Sequence, residues 1–192
     1  MTRRTATAIG FVAVLLWALL ALFTVGSAPV PPFQLNALTF AIGGTLGAIW
    51  VTATGGWSTL HQVPLRIYAF GTVGLFGYHA LYFSALRLAP PAEAGLIAYL
   101  WPLLIVLFSG LLPGERLSPL HILGALVAFA GAALLVAPRL TGFDGTLGLA
   151  LAGRCALTWS GYSVLSRRLG ETPTQTVAIF CLATALLSVP AH

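Results

Sequence analysis

IYAFGTVGLFGYHALYFSALRLAPPAEAGLIAYLWPLLIVLFSGLL, residues 67–112, decides the fold. It holds two apolar runs of about twenty residues each, the length at which a helix crosses the hydrocarbon core of a bilayer. Arg87, Pro90, Pro91 and Glu93 stand between them, so charge and helix breakers meet at the interruption. Two such runs on so short a connector fold as antiparallel membrane helices.

Read outward from there, the chain gives seven apolar segments, at 9–25, 33–52, 67–86, 94–112, 120–137, 147–165 and 174–190. Composition agrees: 58% of residues are hydrophobic and 7% charged, with a mean hydropathy of +0.96. Soluble domains carry about 25% charged residues. The expected fold class is therefore all-α, a polytopic membrane helix bundle whose first partner is the lipid bilayer. Arg3 and Arg4 precede the first segment, but its apolar run exceeds the roughly 7 to 15 residues of a signal-peptide core. It is expected to stay as a helix.

All nine basic side chains are arginine. Positively charged connectors stay on the cytoplasmic side. With the N-terminus inside, Arg3, Arg4, Arg66, Arg116, Arg167 and Arg168 are cytoplasmic, and only Arg87 and Arg139 are outside. The arginines are spread over connectors rather than gathered with aromatics, so no nucleic-acid partner is expected. Cys155 and Cys181 lie inside apolar segments without metal-ligand spacing. The absence of lysine removes a P-loop and a Schiff-base enzyme. The one aspartate, Asp144, stands in a connector, leaving no residues for paired acidic metal sites or a Ser-His-Asp arrangement. The chain is expected to be no enzyme and to hold no cofactor; a solute or proton gradient remains as its energy source.

An offset of 142 residues lays Trp17 on Trp159, Pro31 on Pro173 and Ala41 on Ala183. Five segments separate the copies, an odd number, so the second copy enters the membrane upside down. Inverted copies of this kind build secondary transporters, with the solute bound near mid-membrane. Residues 1–140 would be a first five-helix repeat and 141–192 the first two helices of an inverted second repeat, a ten-helix carrier truncated to about seven helices. Gly43 with Gly47, and Gly124 with Ala128 and Ala132, are candidate packing stripes.

Ala85 and Leu86, Ala92, Pro102, the turn Gly114-Glu115-Arg116-Leu117, Gly124 and Gly131 together resemble the drug/metabolite transporter superfamily in its EamA-type, ten-helix form. The resemblance covers the whole chain and is densest over 78–136. It implies a bacterial inner-membrane carrier of small organic solutes. The aromatic set Tyr78, His79, Tyr82, Tyr99 and Trp101 is similar to the branch that exports aromatic amino acids. Two positions depart from the family pattern: Thr39 or a neighbour stands where many members carry an arginine, and Pro90-Pro91 doubles the usual break. A carrier for lipophilic drugs or other metabolites, and a helper subunit without a central cavity, are the competing readings.

Candidate substrate-binding residues follow from position and chemistry. Tyr78 and Tyr82 are four apart and share one helix face, either toward a wet cavity or as part of an aromatic belt. His79 lies beside them, able to bond a solute carboxylate or a neighbouring helix carbonyl. Pro102 removes the backbone donor to residue 98 and should bend the fourth segment, with Tyr99 and Trp101 flanking the bend. In a regular helix those two are about 200° apart, so one would line a cavity and the other pack. Arg154 is the fixed charge well inside a span, to be met by a solute carboxylate, by Glu93, or by snorkelling. Trp17 and Trp159 match between the copies, as opposite walls of a pocket or as packing residues.

In a protein whose Cys155 and Cys181 are replaced by serine, single cysteines at positions 3 and 116 should react with a membrane-impermeant maleimide from the same, cytoplasmic, side. Labelling from opposite sides would overturn both the orientation and the inverted copies.

Overall fold

In the computed structural model the apolar segments become helices. The structure describes residues 2–115, 117–136, 145–170 and 172–192. Arg116, Ala137, Arg139 and Asp144 lie outside the described residues. The elements are α1 (Arg3–Ala18), α2 (Leu20–Gly26), α3 (Pro32–Ala53), α4 (Trp57–Leu60), α5 (Leu65–Leu88), α6 (Pro91–Ala98), α7 (Trp101–Ser109), α8 (Pro119–Val136), α9 (Thr146–Ser166) and α10 (Thr176–Ser188). No strand occurs among the described residues.

Two of the seven segments are broken rather than continuous. The first divides into α1 and α2 at Leu19, whose N–H is shared between the carbonyls of Leu15 at 3.3 Å and Leu16 at 3.2 Å. The fourth divides into α6 and α7 at Tyr99 and Leu100, because Pro102, the second residue of α7, has no N–H for the Ala98 carbonyl. One element has no counterpart in the sequence reading: α4, a single turn in the connector before α5. It is pinned by Trp57 Nε1–H donating to Thr52 Oγ1 at 3.0 Å and by Tyr68 O–H donating to the Leu60 carbonyl at 2.8 Å.

Among the described residues, three helical stretches are long and apolar enough to cross a membrane: Arg3–Gly26, Pro32–Ala53 and Pro91–Ser109. Pro119–Gly131 and Thr176–Ser188 are shorter apolar helices. α5 and α9, with 24 and 21 residues, match a span in length yet fall outside the most apolar set. Their place explains this. They form the middle of the bundle and carry half of its buried residues among those described, while α1 has none. A helix shielded by its neighbours need not satisfy lipid all round.

Contact register fixes the directions. On α3 and α10, Asn36 meets Ser188, Gly44 meets Leu182 and Gly47 meets Ala178. One number falls as the other rises, so the helices are antiparallel. α5 and α9 are antiparallel too: Gly74 lies on Tyr162, Cys155 Sγ–H donates to the Tyr78 carbonyl at 3.7 Å, and Gly148 lies on Ala89. By contrast α7 and α9 run the same way, since Ser160 bonds the Trp101 carbonyl and Arg168 the Leu111 carbonyl. Two helices that run the same way need a returning helix between them, which α8 supplies.

Close approach, not hydrophobic drive, holds these pairs together. A Cβ on Gly44 would sit 2.7 Å from Leu182 Cδ2, and one on Gly47 2.8 Å from Ala178 Cβ. Cβ atoms on Gly71 and Gly74 would collide with the rings of Phe180 and Tyr162. The stripe on α3 therefore differs from the sequence expectation. Gly43 faces open space and Gly44 takes its place, while Gly124 also meets no neighbour within 4 Å. The spacing rule found the right helix but could not tell which way it is turned.

Arg87, in the last turn of α5, straps the connector between α2 and α3. Its Nη1 donates to the Val25 carbonyl at 3.3 Å, and its Nη2 to Ser27 Oγ at 2.9 Å and the Val30 carbonyl at 3.1 Å. At the other end of the bundle Arg167 pairs with Glu115 at 2.8 Å.

Gly44→Val should destabilise the detergent-solubilised protein by about 1 to 3 kcal/mol through overpacking, whereas Gly43→Val should leave it within about 0.5 kcal/mol. Both changes carry the same helix-propensity effect, so equal melting temperatures for the two would refute the α3–α10 register.

Candidate functional site

The site is built on α5 and α9, which glycine lets approach side by side. On α5, Tyr78 and Tyr82 stack with ring centroids 5.7 Å apart and planes 10° apart. From α9, Trp159 leans on Tyr78 at 4.8 Å and on Tyr162 at 5.3 Å. Tyr162 in turn stacks on Phe70 at 5.0 Å. His79 closes the other flank, edge-on to Phe40 of α3 at 4.7 Å and to Phe83 at 5.7 Å. The result is a continuous aromatic seam. Ala94 and Ala98 of α6 pack against it, and their small size leaves α6 close to the tyrosines.

Polar groups along the seam are unequally satisfied. His79 Nδ1 lies 2.9 Å from the Leu75 carbonyl. A carbonyl only accepts, so Nδ1 carries the proton and a neutral ring presents Nε2 as an acceptor. Tyr82 is fully buried, and its hydroxyl has no hydrogen-bond partner among the described residues. An unpartnered buried hydroxyl costs about 1 to 3 kcal/mol, so it is a position where a bound polar group brings a gain.

A second aromatic group stands at the two helix breaks. Trp17, just before the α1–α2 break, meets Trp101 edge-on at 6.5 Å, with planes 88° apart. Tyr99 directs its O–H at the Trp17 carbonyl at 3.5 Å. Both Tyr99 and Trp101 therefore reach Trp17, although 200° would separate them in a continuous helix. The interruption between α6 and α7 lifts that constraint. Ser160 of α9 donates to the Trp101 carbonyl at 3.0 Å and ties this group to the seam's own helix. Pro102 is exposed beside it.

The structure thus brings Tyr78, His79, Tyr82 and Trp159 together, and Trp17, Tyr99 and Trp101 together next to them. Arg154 stands apart: it lies on the exposed side of α9, about 100° around the helix from Cys155, which faces Tyr78. Sequence reasoning passed over Tyr162, Phe40 and Phe83. Tyr162 carried a usable signal, being three residues after Trp159 on the same helix face. Phe40 carried none, because its contact with His79 depends on the tilt of α3. Two open clefts lie near the seam's helices without including it. One, of about 280 Å³, is between the ends of α7 and α9; the other, of about 670 Å³, lies against Arg3, Arg4 and Phe11 of α1.

The sequence profile of the EamA-like transporter family matches residues 4–137. An aromatic amino acid exporter, YddG, of Ancylobacter novellus is 56% identical over all of this chain and 68% of its own length. The exporter of the same name from Escherichia coli is 29% identical over 68% of this chain and 45% of its own length. A pseudopaline exporter of Pseudomonas aeruginosa is 30% identical over 62% of the chain and 41% of its own length. A solved crystal structure with 54% sequence identity superposes with a TM-score of 0.79, covering 100% of this chain and 67% of the other. The chain thus spans about two thirds of the Ancylobacter exporter's length and less than half of the other two exporters'. With the profile matching well over half of its residues, the chain belongs to the EamA-like transporter family.

Proposed function

We propose that the chain is part of a secondary transporter that exports aromatic amino acids across the bacterial inner membrane by alternating access, with its N-terminus in the cytoplasm. The observation that carries this reading is the partnerless Tyr82 hydroxyl inside the Tyr78–Trp159 seam. Aromatic faces stack with an aromatic solute at about 0.5 to 1.5 kcal/mol per pair beyond area burial. The free Tyr82 hydroxyl can donate to a solute carboxylate, and His79 Nε2 can accept from its ammonium. The 56% identity to a protein named aromatic amino acid exporter supports the same solute class.

The α3–α10 crossing supports two inverted copies. A pseudo-twofold axis between the second helices of two such copies must pass through equivalent residues. In the antiparallel register Asn36 and Gly44 of α3 flank position 41 as Ser188 and Leu182 of α10 flank position 183, the pair that the 142-residue offset equates. Residues 1–140 as one copy and 141–192 as the start of the next rest on this agreement. Pro102 and Leu19, at the two breaks, are the points where spans beside the seam can bend.

The pseudopaline exporter among the relatives favours a second reading, a carrier for lipophilic drugs or other metabolites. Counterflow in proteoliposomes separates the two. Labelled tryptophan and phenylalanine should move and a cationic dye should not; movement of the dye alone would sink the amino acid assignment.

Tyr82→Phe gives a sharper test, because it deletes one oxygen. The variant should be as stable as the parent or more so, yet show transport affinity for tryptophan lowered about five- to tenfold, the worth of roughly one hydrogen bond. Unchanged affinity would remove Tyr82 from the solute path.

A further inference from the structure

Where α7 and α9 end, their parallel course leaves a cleft of about 280 Å³. Phe108, Leu111 and Leu112 form one wall and Val164 and Leu165 the other, with Arg168 at its rim. Gly161 lies on its floor, where an added methyl would meet nothing within 4 Å. The walls are apolar, so water inside would find few of the two to four polar partners it needs. An alkyl chain would find a matching surface.

The rim adds charge. Arg167 is engaged with Glu115 at 2.8 Å, which makes that pair neutral. Arg168 is exposed, and its Nη2 donates to the Leu111 carbonyl at 3.5 Å, which holds the guanidinium over the cleft mouth. That oxygen is neutral, so the positive charge and most of the donors stay available. A planar guanidinium binds phosphate through paired N–H groups. Basic side chains at the cytoplasmic ends of membrane helices face the leaflet of negative surface potential.

We propose that this cleft binds an anionic phospholipid, one acyl chain lying between α7 and α9 and the phosphate on Arg168. The ligand is a component of the membrane, not the transported solute, so the site stands whether or not tryptophan is exported. A lipid seated there bridges α7 to α9 at the same end as the Glu115–Arg167 pair.

The test uses purified, delipidated protein in detergent, with bound lipid read by native mass spectrometry and melting temperature followed in parallel. Dioleoyl phosphatidylglycerol should bind more tightly than dioleoyl phosphatidylcholine by about fivefold, the worth of one basic residue at an anionic surface. Arg168→Lys should keep that preference and Arg168→Gln should abolish it. Gly161→Leu, which fills the floor, should weaken both lipids; if that variant does not fold, the lysine and glutamine variants carry the test alone. Equal preference in wild type and Arg168→Gln would overturn the site. So would equal binding of the two lipids, or full competition by inorganic phosphate, which would mark a free-anion site. Failure of either lipid to bind would assign the cleft to a protein contact.

Discussion

Lipid tails are as apolar as leucine, so nothing pushes two membrane helices together; they stay together only where their backbones can come close enough for dispersion and hydrogen bonding. In this chain that condition is met by glycine opposite a ring or a methyl. Gly74 beneath Tyr162 and Gly148 beneath Ala89 bring α5 and α9 side by side along most of their length. The aromatic seam follows from it. Tyr78 reaches Trp159 because the helices carrying them are no farther apart than one ring, and Tyr82 is sealed from solvent for the same reason.

Much of this was legible in the sequence, because hydrophobic length and helix breakers act locally. The seven spans and the bend at Pro102 needed only the chemistry of each segment. The break at Leu19 was not legible: no proline or glycine adjoins it, and Leu19 keeps a right-handed helical backbone. Nor was the rotation of each helix, which tertiary contact decides. Gly43 and Gly44 are indistinguishable by spacing, and Arg154 could face the seam or away from it until α9 was set by Cys155 and Trp159. Among the site residues, Tyr78 and Tyr82 were readable as a pair because four residues make one turn. Their junction with Trp159 was readable only through the repeat, and His79 with Phe40 not at all.

Polar side chains tell the same story from the other side. Thr24, Thr39, Thr45 and Thr52 each donate to the carbonyl four residues back, at 2.7 to 2.8 Å, and so cost their helices little wherever they lie. Asn36 and Ser188 find each other at 2.9 Å across 152 residues and pin the α3–α10 crossing. Against that background four buried atoms lack a partner among the described residues: Asn36 Oδ1, the Tyr82 hydroxyl, Arg87 Nε and Thr184 Oγ1. Thr184 lies one turn from Ser188 on the pinned helix. Tyr82 lies where aromatic faces converge, and only there does the surrounding chemistry suit a ligand.

The strap formed by Arg87 gives that arginine a structural task. Its guanidinium donates to the Val25 carbonyl near the end of α2 and to two oxygens of the connector that follows, so it acts as a rivet rather than as a mobile charge. The ends of the first and third spans are thereby joined into a single stiff plate. Whatever swings during a transport cycle must carry both together, and the bending has to be absorbed deeper, at the interruptions beside Trp17 and Trp101.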